Sequence, residues 1–131
     1  MRMIDEIILH CSDSDVLAHD DISVIREWHL ARGFNDVGYH YFIKKDGTVQ
    51  KGRLWSKVGA HCKGRNRYSL GICLHGRDNF TEAQFESLRE LLERITLELG
   101  GLQINGHYKY SDKTCPNFDV EDFKSTLWAD L

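Results

Sequence analysis

The sequence contains one proline, Pro116, and no apolar run long enough to span a membrane. Its formal net charge is −3, so it lacks the basic field with which proteins bind nucleic acid or an anionic membrane surface. Asp5 and Glu6 interrupt the N-terminus before an apolar run of useful length can form. We therefore expect no signal peptide, no membrane segment, and synthesis in the cytoplasm.

Cysteine is also scarce. The four cysteines, Cys11, Cys62, Cys73 and Cys115, are too few and too dispersed to form a disulfide scaffold in 131 residues. We expect them to be reduced, with at most one of them taking part in chemistry. The length and composition are those of one compact domain, so we predict a single domain over residues 1–131 and a monomer.

Strand patterns alternate with helix patterns along the chain. The predicted strands are Ile7–Cys11, a hairpin over Asp36–Gln50 with an Asp46-Gly47 turn, Leu70–His75 and Leu102–Asn105. The predicted helices are Ser23–Arg32, a helix from the Thr81 cap to Leu99, and a helix from the Asp119 cap through Trp128. This order predicts an α/β fold with a mixed central β-sheet flanked by about three α-helices.

Two segments outside these elements are candidates for function. The first is a long loop over Leu54–Ser69, because loops of this length in compact domains are usually functional. The second, which we call the ligand loop, runs from His107 to Cys115 and places an imidazole and a thiol eight positions apart. Both are ligands that Zn²⁺ accepts, although each by itself has an ordinary alternative as a surface histidine or a free cysteine.

A third candidate ligand, His10, lies near the end of the first predicted strand. In open α/β sheets the carboxyl ends of the strands form the edge at which ligands bind. Because His107 also follows a strand, we expect His10 and His107 to meet at this edge. Without such partners, His10 would be interpreted as a core histidine.

Five blocks of the sequence resemble zinc N-acetylmuramoyl-L-alanine amidases, a family that includes phage lysozymes of the T-seven type and peptidoglycan recognition proteins. The resemblance spans roughly Ile7 to Phe118. In chain order the blocks are His10-Cys11-Ser12, Asp36-Val37-Gly38-Tyr39-His40, Gly59-Ala60-His61 with Gly64 and Asn66, Ser69-Leu70-Gly71-Ile72, and His107 with Lys113-Thr114-Cys115-Pro116.

The resemblance implies one zinc ion per chain, bound by His10, His107 and Cys115. It also implies that Tyr39 and Lys113 assist hydrolysis of the bond between N-acetylmuramic acid and L-alanine in peptidoglycan. Three such ligands leave one tetrahedral position free for water, as in catalytic zinc sites. The Lys113 ammonium and the Tyr39 phenol could both stabilise the oxyanion that forms when water attacks an amide. Taken alone, Lys113 would be interpreted as a surface lysine and Tyr39 as a tyrosine that packs in the hairpin.

The resemblance leaves the neighbouring polar residues less well defined. His61 and Asn66 are candidates for substrate binding from the long loop, with turn formation as an equal alternative. On the predicted strand His40 alternates with Tyr39, so we expect it at most to support the site. In the phage lysozyme that this chain most resembles, the residue directly after the second ligand is another histidine, whereas this chain has Tyr108.

These features predict a peptidoglycan hydrolase, namely a phage or prophage endolysin that acts on the bacterial wall after another agent releases it from the cytoplasm. The alternative is a non-catalytic recognition module that holds a muropeptide, which the presence of Cys115 argues against. A third hypothesis is an interaction protein that regulates a polymerase. The short segment before the first strand and the weakly acidic charge give that hypothesis no support.

Overall fold

The structure is a computed structural model that describes residues 2–127. In this part of the chain a sheet forms with the strand order β3-β2-β4-β1-β5. The strands are β1 (Glu6–Cys11), β2 (Tyr41–Ile43), β3 (Val49–Lys51), β4 (Ser69–Leu74) and β5 (Gln103–Gly106). The helices are α1 (Ile22–Ala31), α2 (Glu82–Leu99) and α3 (Val120–Lys124). The predicted α/β fold with a mixed sheet and three helices is confirmed.

The centre of the sheet is parallel. Strand β1 pairs in parallel with β4 on one side and β5 on the other, and β2 pairs in parallel with β4. Of the strands within residues 2–127, only β3, at the edge, runs antiparallel, to β2. Every residue of β1 and β4 is buried, as expected for parallel strands that are covered on both faces.

The two faces of the sheet are covered differently. Helices α2 and α3 pack on the face that carries Ile7 and Leu9, together with Leu70, Ile72, Leu88, Leu92, Ile95 and Phe123. Helix α1 packs on the opposite face, with Phe42 and Cys73. Because side chains alternate along a strand and His10 pairs in register with Cys73, His10 lies on the α1 face.

Local capping signals fix the starts of the helices, and the caps predicted for the second and third helices, Thr81 and Asp119, are confirmed. At α2 the Thr81 hydroxyl accepts from the N–H of Gln84 at 3.1 Å, and the N–H of Thr81 donates to the Gln84 side chain at 2.9 Å. These two bonds form a capping box. Asp119 caps α3 and Asp21 caps α1. Helix α1 therefore begins one residue earlier than predicted.

The predicted hairpin is shorter in the structure, because residues 36–40 are irregular and β2 begins at Tyr41. Gly38 explains the difference. A Cβ at this glycine would lie 2.1 Å from the carbonyl oxygen of Ala60, and the N–H of Ala60 donates to Gly38 at 3.0 Å. The segment therefore pairs with the long loop, and Tyr39 lies outside the regular strand on which it was predicted.

The last helix is also shorter than predicted. Helix α3 ends at Lys124 and a turn continues to Leu127, whereas the predicted end at Trp128 lies outside the described residues. Among the helices of residues 2–127, none is long and apolar enough to cross a membrane.

Candidate metal centre

His10 and His107 lie side by side because their strands are parallel neighbours. Leu9 of β1 is paired in register with Gly106 of β5, and each histidine directly follows its paired residue. Both therefore reach the carboxyl edge of the sheet, where the ring centroids are 4.6 Å apart. The meeting of these two side chains at one edge is as the strand order predicted.

The ligand loop brings Cys115 back to the same edge. It opens with a single 3-10 turn over His107–Lys109, and the N–H of Tyr108 donates to the carbonyl of Cys115 at 2.8 Å. This bond closes the loop on itself. As a result Sγ of Cys115 accepts a hydrogen bond of 3.0 Å from the backbone N–H of Cys11.

The three side chains His10, His107 and Cys115 form a set that fits a zinc ion. One ligand atom from each lies within 4.8 Å of the other two. Zinc bonds of about 2.0 to 2.3 Å place tetrahedral ligands roughly 3.5 Å apart, so small side-chain rotations close the set around an ion. Two imidazoles and a thiol are donors of the type that zinc prefers.

The electrostatics of the two imidazoles also suit a cation. Burial, followed by the positive charges that His61 and His107 would carry, lowers the pKa of His10 well below its ordinary value. Burial and the Lys113 ammonium lower the pKa of His107. Both rings are therefore neutral near pH 7 and keep a lone pair for coordination.

The thiol behaves differently before a cation binds. The hydrogen bond with the Cys11 thiol, followed by burial, raises the pKa of Cys115 above its ordinary value. A coordinated cation reverses this preference, because it deprotonates the thiol outright. The N–H of Cys11 supports the resulting thiolate, since it is a donor aimed at the sulfur.

The candidate ligands lie in an open cavity of about 1080 Å³. One wall comes from the long loop, one from the ligand loop, and a third from the end of α1 and the residues after it. The wall residues include Arg32, Phe34, Lys63, Gly64, Ser111 and Thr114. A cavity of this volume takes a ligand of many atoms, which an ion alone does not require.

Tyr39 and Lys113, the two predicted catalytic residues, both line this cavity. The ring of Tyr39 lies 5.0 Å from that of His10. Burial, followed by the neighbouring Cys73 and Cys115 thiols, raises the pKa of Tyr39 well above its ordinary value, so the phenol stays a hydrogen-bond donor. Lys113 is exposed, and its charge acts on the His107 ring.

His61 and Asn66, the predicted substrate contacts, line the same cavity but make hydrogen bonds inside the protein. His61 Nδ1 lies 2.8 Å from Nε2 of His10, and its Nε2 lies 3.2 Å from Oγ of Ser69. Oδ1 of Asn66 accepts from the N–H groups of His61 and Cys62, both at 2.9 Å. Asn66 therefore shapes the loop backbone, and substrate binding by either residue stays a prediction.

His40 and Tyr108 support the site from its surroundings. Nδ1 of His40 accepts from the N–H of Gly71 at 3.1 Å, and its Nε2 donates to the carbonyl of Lys57 at 2.8 Å. His40 thus anchors the long loop to β4, in line with the supporting role expected for it. The Tyr108 hydroxyl accepts from the N–H of Val120 at 3.1 Å, so this residue joins the ligand loop to the start of α3.

His29, which no sequence motif singled out, lines the cavity from α1. It is 6% exposed, and its Nδ1 accepts from the N–H of Gly38 at 2.8 Å. Burial, followed by Arg32 and Arg53, lowers its pKa to about 4. A signal was available, because His29 follows Ile25 by four positions and so shares the buried helical face.

Glu6 is a second residue that no sequence motif singled out, and its carboxylate is 1% exposed. It accepts hydrogen bonds from Arg65 at 2.8 Å, from Asn105 at 2.6 Å, and from the Tyr110 hydroxyl. Burial acts to raise its pKa, but these three donors outweigh it and lower the pKa. Glu6 therefore ties the long loop, through Arg65, to the ligand loop, through Tyr110.

Comparison with known proteins gives consistent results. The sequence profile of the family described as N-acetylmuramoyl-L-alanine amidase matches residues 1–118. The endolysin of Escherichia phage T7 is 41% identical over 125 residues, which cover 89% of this chain and 83% of that protein. The endolysin of Klebsiella phage KP32 is 39% identical over 124 residues, covering 88% of this chain and 82% of that protein.

A solved structure supports the same relationship. The N-acetylmuramoyl-L-alanine amidase LysC from Clostridium intestinale superposes with a TM-score of 0.88 and 29% identity. The superposition covers 96% of this chain and 86% of that one.

Proposed function

The chain belongs to the N-acetylmuramoyl-L-alanine amidase family, and from this premise we propose that its catalytic metal is a single zinc ion held by His10, His107 and Cys115. The activity is hydrolysis of the amide that joins N-acetylmuramic acid to L-alanine in peptidoglycan. The observation that supports the zinc assignment is the convergence of three donor atoms within 4.8 Å at one edge of the sheet.

Each proposed ligand is prepared for this role by its surroundings. A zinc ion held by these three residues would be a Lewis acid, able to polarise the scissile carbonyl and to make water a nucleophile at neutral pH. The lowered pKa values keep His10 and His107 neutral near pH 7, so protons do not compete with a metal ion for the lone pairs of the two rings. The N–H of Cys11 stabilises the Cys115 thiolate.

Tyr39 and Lys113 act on the charge that develops during hydrolysis. We assign Tyr39 as a donor that orients the attacking water or binds the oxyanion, because its phenol stays protonated beside the ligands. We assign Lys113 as the cation that faces the oxyanion from the ligand loop, two positions before Cys115. A positive charge at this position would lower the barrier by stabilising the negative charge that develops on the oxyanion.

The substrate would lie between the two loops, with its scissile amide above the ligand edge. Because the phage relatives are endolysins, we propose that residues 1–131 form a single domain that acts on the bacterial cell wall as an endolysin. A recognition module that binds without cutting is the second candidate. It is less well supported, since all three donors of the proposed site are present.

Two measurements test the assignment. Purified protein is incubated with peptidoglycan, with and without a chelator, and new L-alanine N-termini are counted against new reducing ends. We expect N-termini only, and their loss with the chelator. Zinc content is then measured for the natural chain, for Cys115→Ser, and for Cys62→Ser as a matched control in a buried thiol outside the ligand set.

The expected zinc content is one per chain for the natural protein and the control, and close to zero for Cys115→Ser. New reducing ends would indicate a glycosidase and would overturn the assignment. Muropeptide binding without hydrolysis in zinc-replete buffer would favour the recognition module.

A further inference from the structure

A chain of hydrogen bonds runs away from the proposed zinc site through the α1 face of the sheet. It joins Nε2 of His10 to Nδ1 of His61 at 2.8 Å, Nε2 of His61 to Oγ of Ser69 at 3.2 Å, and Oγ of Ser69 to the carbonyl of Arg65 at 2.8 Å. Ser69 is fully buried and His10 is 1% exposed. The chain of bonds therefore leads from the cavity into the protein interior.

The direction of every bond follows from the last one. A carbonyl oxygen can only accept, so the Ser69 hydroxyl donates its proton to Arg65. The same hydroxyl must then accept from His61, whose proton is therefore on Nε2. That leaves Nδ1 of His61 as an acceptor, so the proton of His10 is on its Nε2.

The consequence concerns the other nitrogen of His10. With a proton on Nε2, a neutral His10 keeps its lone pair on Nδ1. Within residues 2–127, Nδ1 of His10 makes no side-chain hydrogen bond to the protein, whereas Nε2 is committed to His61. The opposite tautomer would direct the lone pair at His61 and leave no donor atom for a metal.

We propose that His61 and Ser69 are positioning residues, which fix the tautomer and ring orientation in which His10 binds the metal. This inference rests on the proposed zinc site, but the tautomer itself can be measured without it. It gives His61 a role other than the substrate contact that the sequence predicted. Partners of this kind orient metal-binding histidines and raise their basicity.

The backbone around His61 is shaped to seat its ring. A Cβ at Gly71 of β4 would lie 2.6 Å from the His61 ring, so the glycine leaves the space that the imidazole occupies. Asn66 holds the backbone N–H of His61 at 2.9 Å. The His61 ring is thus held by strand β4 on one side and by its own loop on the other. A side chain that only contacted substrate would not need both supports.

Nitrogen NMR of the whole chain measures the tautomers directly, with ¹⁵N-labelled histidine and long-range proton correlations. We expect His10 and His61 each to carry a proton on Nε2, in the metal-free chain and in the zinc-loaded chain. A proton on Nδ1 of His10 would overturn the proposal. A chain that shows the expected tautomers but binds no zinc would leave the positioning intact and would refute the zinc site.

Zinc affinity supplies the second readout. We expect His61→Leu to weaken zinc binding by roughly 10- to 100-fold, the usual effect of removing such a partner, and His61→Gln to restore most of it because an amide oxygen can accept from His10. The matched control is His75→Leu, since His75 is buried and, like His61, bonded to a serine hydroxyl, Ser12 at 2.9 Å, without touching a proposed ligand.

The control is expected to lose stability but to keep its zinc affinity. Equal zinc affinity in His61→Leu and the natural chain would overturn the proposal. If His61→Leu does not fold, Ser69→Ala replaces it, because this variant keeps the His61 ring and removes the hydroxyl that accepts from His61 Nε2 and donates to the carbonyl of Arg65. In Ser69→Ala we expect the ¹⁵N signals of His10 and His61 to report a mixture of tautomers, and signals identical to those of the natural chain would count against the proposal.

Discussion

The backbone N–H of Cys11 lies 3.0 Å from Sγ of Cys115, although the two residues are 104 positions apart. This bond joins the end of the interior strand β1 to the end of the ligand loop. A sulfur that accepts a backbone N–H is better able to carry negative charge. The same contact therefore closes the fold at this edge and prepares a metal ligand.

Replacing Lys113 by methionine should slow the reaction without removing the metal. Loss of one donor to a developing oxyanion typically costs 10²- to 10³-fold in kcat, or about 3 to 4 kcal/mol. We expect a fall in kcat of about this size and an unchanged zinc content. Lys109→Met is the matched control, because Lys109 is exposed on the same loop and does not line the cavity. Equal slowing in both variants would mean that Lys113 acts only through the general charge of the loop.

Replacing Tyr39 by phenylalanine should also lower kcat while leaving zinc content and thermal stability nearly unchanged. The variant keeps the ring that packs 5.0 Å from His10 and removes only the hydroxyl. General acid–base groups contribute typically 10²- to 10⁴-fold, and we expect a loss of roughly 100-fold. Tyr68→Phe, at an exposed tyrosine, serves as the control. A Tyr39→Phe enzyme with the natural kcat would remove this residue from the mechanism.

Replacing Glu6 by glutamine should destabilise the protein in a pH-dependent way. The folded-state pKa of Glu6 is lowered, so its contribution is complete above the pKa of the unfolded chain, about 4.3. It is lost as the pH falls through the lower, folded-state pKa. We expect Glu6→Gln to lower the free energy of unfolding by about 2 kcal/mol at pH 7. The Arg65 side chain can be solvated by water instead, whereas Asn105 and Tyr110 lose a charged acceptor.

Urea unfolding at pH 7 and in a series of buffers below pH 4 measures this difference. The difference in the free energy of unfolding between the natural chain and Glu6→Gln should become smaller as the pH falls. Glu93→Gln, at an exposed position of α2, should show no gap at any pH. A gap for Glu6→Gln that stays constant with pH would mean that the charge of this carboxylate contributes nothing.

Replacing Gly71 by alanine should displace the His61 ring and thereby disturb the proposed metal site. The added Cβ would lie 2.6 Å from the ring of His61, and overpacking of a close contact typically costs 1 to 3 kcal/mol. We expect lower thermal stability and weaker zinc binding together. Gly101→Ala is the control, because a Cβ added at Gly101 would have nothing within 4 Å. If Gly71→Ala binds zinc as tightly as the natural chain, zinc binding does not depend on the position of the His61 ring.

The sequence was sufficient wherever the determining interactions are local. The capping box at Thr81 and Gln84 acts over three positions, and the buried run of β1 is visible as consecutive apolar residues. The candidate ligands could be named for a related reason, since a residue type at the end of a strand carries its chemistry with it. The alternation of strands and helices then restricted the fold to an α/β class.

The tertiary structure decided the contacts that local patterns cannot encode. Tyr39 leaves the strand because Ala60 pairs with Gly38, and His61 reaches His10 across 51 positions. Asn105 and Tyr110 meet Glu6 across 99 and 104 positions. Periodicity reports which face of an element is buried, but it does not report which distant residue lies opposite. That partner is set by the register of parallel strands and by the paths of the loops, and these form only when the whole chain packs.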